Sequence, residues 1–138
     1  MNSLSPPTPA NPQDKLDYAI KRNGKSYAGV HHIIDMWGPR RINDAAYIEM
    51  VLKESANVAR ATLLHVHTHS FKTNGGVSGV AVLAESHISV HTWPELGFAA
   101  FDIFTCGNTD PRAAIANMTS AFAPERVEVR EILRGEKS

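Results

Sequence analysis

Between Glu85 and Glu95 the chain reads Glu85-Ser86-His87-Ile88-Ser89-Val90-His91-Thr92-Trp93-Pro94-Glu95. Two carboxylates, two imidazoles and two serine hydroxyls crowd this stretch, and apolar runs flank it on both sides. Ser86 reads either as an ordinary serine at a strand end or as a self-processing residue, and the second reading has a definite chemistry. The Ser86 hydroxyl would attack the carbonyl of Glu85 and convert the peptide bond to an ester. Loss of the Ser86 α-proton would then expel the Glu85 carboxylate by β-elimination. Hydrolysis of the resulting dehydroalanine leaves a pyruvoyl group on the new N-terminus. The sequence needs a strained or polarised peptide, a proton acceptor, and a donor near the carbonyl oxygen.

His91 is the candidate base, because its ordinary pKa near 6.5 makes proton removal feasible at neutral pH. A histidine on a strand is more often a hydrogen-bonded structural residue. Geometry adds an objection: five residues along a regular strand put His91 roughly 16 Å from Ser86 and on the opposite face. The chain must turn or bulge near Glu85-Ser86 for the two to meet. Cys106 follows an apolar run and precedes Gly107. It reads either as a small buried hydrophobe or as a proton donor beside polar groups. Glu95 leaves the stretch after Trp93-Pro94, as a solvated turn carboxylate or a ligand for a substrate hydroxyl or ammonium. His65, His67 and His69 alternate along another run and share a face, which suits metal ligands but equally suits cross-strand polar pairs.

The elements that must carry these groups follow from periodicity. Residues 1–25 are rich in Pro, Asn, Ser and charge and read as a disordered N-terminal extension, with a short helical turn around Asp14 to Lys21. Gly29 to Trp37 alternates as a strand, with His32, Ile34 and Met36 on one side. Asn43 to about Ala59 reads as a helix capped by Asn43. Thr62–Phe71, Val77–Ala84, Ser86–Thr92 and Phe98–Cys106 read as strands, with Asn74-Gly75-Gly76 a hairpin turn. Asp110-Pro111 opens a second helix that Pro124 stops, and Arg126–Leu133 is a last strand. Short links imply a mainly antiparallel sheet with both helices on one face, an α+β two-layer sandwich over residues 26–138. The other sheet face carries His, Ser and Cys beside apolar groups, so a partner subunit is expected there.

Bulk properties narrow the classes. At 138 residues the chain is one domain, with 14 Lys+Arg against 14 Asp+Glu. Zero net charge removes the argument for nucleic acid or an anionic membrane as partner. No apolar run approaches the roughly 18 residues of a membrane span. An N-terminus without an apolar signal core and a single cysteine make the cytoplasm the expected location.

Leu83 to Gly107, LAESHISVHTWPELGFAAFDIFTCG, resembles the processing-site segment of prokaryotic S-adenosylmethionine decarboxylase proenzymes. Gly76 to Val80 and, more loosely, Gly29 to Gly38 extend the resemblance over the expected folded part. It implies a cut between Glu85 and Ser86, giving a β chain 1–85 and an α chain 86–138, with Ser86 becoming the pyruvoyl group. It further implies His91 as processing base assisted by Ser78, and Cys106 as the acid that protonates the substrate carbon. Glu95 would bind substrate through ribose hydroxyls, with Phe71 stacking on adenine. The pyruvoyl carbonyl would form a Schiff base with the substrate amine, in place of any diffusible cofactor or metal, and the product would enter spermidine and hence polyamine synthesis. The family dimerises through its sheets, with active sites at the interface. The segment Thr68-His69-Ser70-Phe71, with one extra loop residue and no loop proline, departs from the family pattern. Ornithine or arginine therefore stays open as an alternative substrate, and a His-rich metal-binding protein as a further reading.

Overall fold

The computed structural model describes residues 19–137. In chain order the elements are β1 (Ile20–Arg22), β2 (Lys25–Tyr27), β3 (Gly29–Trp37), α1 (Ala45–Val58), β4 (Leu63–Ser70) and β5 (Val77–Leu83). They continue with β6 (Ser86–Trp93), a 3₁₀ turn (Pro94–Leu96), β7 (Phe98–Thr105), α2 (Pro111–Phe122) and β8 (Arg126–Arg134). Strands β4-β5-β6-β7-β3-β8 form one sheet in that order. Each adjacent pair is antiparallel. The expected α+β sandwich is therefore present, with both helices in one core against one face.

Alternation sets which face is which. Along β3, Val30, His32, Ile34 and Met36 are buried while His31, Ile33, Asp35 and Trp37 are not. On β7 the buried set is Ala99, Phe101, Ile103 and Thr105, and on β6 it is Ile88, Val90 and Thr92. These meet Ile48, Val51 and Leu52 of α1 and Met118 and Phe122 of α2. Buried His32 holds Glu131 at 3.2 Å, and burial pushes its pKa down despite that carboxylate. The opposite rows, among them His31, Ser78, His87, Ser89, His91 and Asp102, form a second face that neither helix covers.

Two local expectations change. Asp44, not Asn43, caps α1: its carboxylate accepts from the Tyr47 amide at 3.0 Å. Arg41, in the left-handed region at φ 60°, donates to the other Asp44 oxygen at 3.0 Å. Residues 20–25 also belong to an ordered hairpin rather than to a tail. Asn23 and Gly24, at φ 55° and 77°, make the two-residue turn that Asn-Gly favours. Arg22–Glu131 and Lys25–Glu136 ion pairs tie this hairpin to the β8 side. Lys21 is in a strand, and the rest of the expected helical turn lies mostly outside the described residues, as does most of the expected disordered extension.

Phe122 closes the core. It is fully buried, with its ring 5.3 Å from Phe101 and 5.8 Å from Tyr47. Phe122→Ala is expected to lower the unfolding free energy by about 3–5 kcal/mol, read as a fall in the urea midpoint. A wild-type midpoint would refute that role.

Candidate active site

Ala84 and Glu85 alone join β5 to β6, the last strand pair being Leu83 with Ser86. Glu85 sits at φ 62°, a left-handed conformation that costs a residue with a β-carbon about 1 kcal/mol. The Glu85–Ser86 peptide thus leaves from a strained residue at a tight turn. The Ser86 hydroxyl makes one long bond, donating to the Ala84 carbonyl at 3.4 Å.

Cys106 lies just past β7, against this turn. Its thiol donates to the Glu85 carbonyl oxygen at 3.6 Å and lies 3.8 Å from the Glu85 carboxylate. Burial pushes the Cys106 pKa up, and the nearby Glu85 carboxylate adds to the shift. The group is therefore a protonated thiol at neutral pH, able to give a proton or polarise a carbonyl but poorly suited to be a nucleophile.

His91, the expected base, lies elsewhere. β6 pairs without a bulge from Ser86 to Trp93, so its regular pleat keeps His91 at the far end of the strand and on the other face from Ser86. The turn occurs, but it does not bring the two together within one chain. His91 Nδ1 instead lies 3.0 Å from the Ser78 hydroxyl, its cross-strand neighbour on β5. Around them Phe71, Asn74, Trp93 and Thr92 line a groove. Phe71 packs edge-on against His69 with ring centres 4.7 Å apart. Glu95 stands on the 3₁₀ turn and accepts from Asn74 Nδ2 at 3.3 Å. The candidate residues therefore form two half-sites: Glu85, Ser86 and Cys106 at one end, and Ser78, His91, Phe71 and Glu95 at the other.

Sequence reasoning missed two groups. Asn74 was legible only as a turn residue, yet its amide also reaches Glu95 while its oxygen accepts from the Gly76 amide at 2.8 Å. On the uncovered face, His31 and His87 place Nε2 at 2.5 Å and 2.9 Å from one oxygen of Asp102, and Ser89 donates to the other. Burial works to raise the Asp102 pKa, but the bonds from Ser89, His31 and His87 outweigh it and hold the carboxylate ionised. Among the described residues this trio is the group with metal-ligand spacing, and none of His65, His67 and His69 belongs to it. Those three stand exposed on β4, at the sheet edge. Arg134, which can only donate, lies 3.5 Å from His31 Nδ1. Hydrogen bonds join the trio to one another and to Ser89.

The Cys106 environment gives a direct check. In the Ser86→Ala chain, iodoacetamide should label Cys106 slowly at neutral pH and faster only as the solution is made alkaline, by mass spectrometry. Glu85→Gln removes the repelling carboxylate and should move that rise to lower pH. Rapid labelling at pH 7 would contradict a protonated thiol.

The family model described as S-adenosylmethionine decarboxylase matches residues 30–135. An S-adenosylmethionine decarboxylase proenzyme of Thermomicrobium roseum is 43% identical over 108 residues, covering 78% of this chain and 93% of the relative. The proenzyme of Methanococcus vannielii is 46% identical over 110 residues, covering 78% and 89%. The crystal structure of the adenosylmethionine decarboxylase from Aquifex aeolicus VF5 matches with a TM-score of 0.67 at 32% identity, over 80% of this chain and 92% of that one. Neither the ornithine or arginine alternative nor a histidine metal protein finds support in these matches. With a family match over most of its length and relatives that it covers nearly end to end, this chain belongs to the S-adenosylmethionine decarboxylase family.

Proposed function

We propose that this chain is a proenzyme that cuts itself between Glu85 and Ser86 and then decarboxylates S-adenosylmethionine with a pyruvoyl group made from Ser86. The product, decarboxylated S-adenosylmethionine, feeds spermidine synthesis. The observation that carries the reading is the Cys106 thiol on the Glu85 carbonyl, at a turn whose Glu85 is left-handed. Strain and a donor at the oxygen both favour attack on that carbonyl by the adjacent Ser86 hydroxyl.

The cut balances as written. The Ser86 Oγ–carbon bond forms, the peptide C–N bond breaks, and the hydroxyl proton ends on the freed amine. The α-proton of Ser86 is then removed, and Glu85 departs as a carboxylate that ends a chain of residues 1–85. Water releases ammonia from the remaining dehydroalanine at the head of residues 86–138. A pyruvoyl carbonyl at residue 86 supplies an electron sink for loss of carbon dioxide. Cys106, kept protonated by burial and by Glu85 before the cut, is placed to deliver a proton at that centre. Glu95 and Phe71 take the nucleoside end of the substrate, the carboxylate accepting ribose hydroxyls and the ring stacking on adenine.

His91 with Ser78 acts as the processing base from a second copy of the chain. Within one chain β6 keeps it roughly 16 Å from Ser86. Two copies packed through their uncovered sheet faces about a two-fold axis, with strands running oppositely, bring each Ser78–His91 pair to the other copy's Glu85–Ser86 turn. A homodimer with two complete sites follows, and the cytoplasm is the compartment we assign to it.

Two experiments test the proposal. Wild type should release carbon dioxide from S-adenosylmethionine and not from ornithine or arginine, and should run as two pieces on a denaturing gel. Ser86→Ala should stay whole, and an intact wild-type band after prolonged incubation would sink the processing step. His91→Ala expressed alone should stay uncut, whereas co-expression with Ser86→Ala should cut the His91→Ala chain by pairing its Ser86 with the other chain's His91. No rescue in the mixed dimer would refute the shared site.

A further inference from the structure

We propose that Thr105 is a positioning residue for the Ser86 hydroxyl during self-cleavage, an inference that rests on the processing reading above. Thr105 is 1% exposed, and its hydroxyl makes no hydrogen bond among the described residues. Buried hydroxyls elsewhere in the core are partnered. Thr92 accepts from the Val77 amide at 2.9 Å and donates to the Ile42 carbonyl at 2.8 Å. Ser55 accepts from Asn117 at 3.0 Å. A buried hydroxyl left unpaired destabilises a fold, so its presence at Thr105 calls for a use.

Register says what it faces. His87 pairs with Phe104 across β6 and β7. One step further along the same register lies Ser86 opposite Thr105, and the step after that is the observed contact of Glu85 with Cys106. Thr105 belongs to the row of Ala99, Phe101 and Ile103, which faces the helices. Ser86 continues the equivalent row of β6. Same-face neighbours across an antiparallel pair have Cβ atoms about 4.5–5.5 Å apart, within reach of two short hydroxyl side chains. On its other side Thr105 pairs with Val30, which offers no polar side chain.

The role follows from what each oxygen lacks. Ser86 holds only its long bond to Ala84. Thr105 Oγ1 can accept the Ser86 proton in its place, turning the hydroxyl off Ala84 and holding its oxygen for attack on the Glu85 carbonyl carbon. Thr105 itself neither gains nor loses a proton. The Ser86 proton still ends on the departing amide nitrogen.

Thr105→Val removes the hydroxyl at nearly constant shape. It should slow self-cleavage about tenfold, followed on a denaturing gel after synthesis. In the uncut Ser86→Ala background the same change should leave Tm unchanged or raise it, because an unpaired buried hydroxyl has been lost. Thr105→Ser should restore most of the cleavage rate. Cleavage of Thr105→Val at the wild-type rate would overturn the proposal. So would slow cleavage accompanied by a lower Tm, since the hydroxyl would then be holding the fold. A wild type that never cuts would defeat the processing reading as well, a result distinct from a wild type and a Thr105→Val chain that cut equally fast.

Discussion

Everything in this molecule depends on the unbroken pairing of β6. Its backbone is bonded to β5 on one side and to β7 on the other, with no extra residue to shift the register. A strand held on both edges cannot twist one side chain around to meet another on its opposite face. That constraint sends Ser86 toward the helices, sends His91 toward the uncovered face, and separates them along the strand. It also aligns Glu85 with Cys106 and Ser78 with His91. The candidate residues are thereby divided into two groups at opposite ends of the strand, Ser86 with Glu85 and Cys106 at one and His91 with Ser78 at the other.

The uncovered face carries its polar groups already paired. At its middle, Asp102 is held by Ser89, His31 and His87, so the charge there already has its hydrogen bonds. A charge buried at an interface without partners is strongly unfavourable, whereas one satisfied within its own chain makes little further demand. Phe104 adds apolar surface beside the two imidazoles. Electrostatics at the turn work differently. There burial and the Glu85 carboxylate together keep the Cys106 proton in place.

Much of this was legible in the sequence because it is local. Alternation along Gly29–Trp37 gives the buried row of β3, and Asp110-Pro111 gives the start of α2. The separation of Ser86 from His91 is also local, since a strand has period two. The contact of Cys106 with the Glu85 carbonyl is not, because it needs the register between two strands and the end of a hairpin. The trio around Asp102 draws on three strands and leaves no spacing signature. Asn43 and Asp44 are both competent caps, and the spacing of the helix alone does not choose between them. Asn23-Gly24 did carry a hairpin signal, but the polar, proline-rich run before it masked two three-residue strands.

The sheet order has a bearing on what a cut at Glu85 leaves behind. Residues before the cut supply β3, β4 and β5, and residues after it supply β6, β7 and β8. In the sheet, however, β3 lies between β7 and β8, while β5 lies against β6. The two pieces are therefore laced through one another like the fingers of clasped hands. To part, they must break three ladders at once and open a shared core of α1 and α2. Only one tight turn of covalent chain is given up by the cut, so the sheet that brought Glu85 to Cys106 would remain a single cooperative object after its backbone has become two.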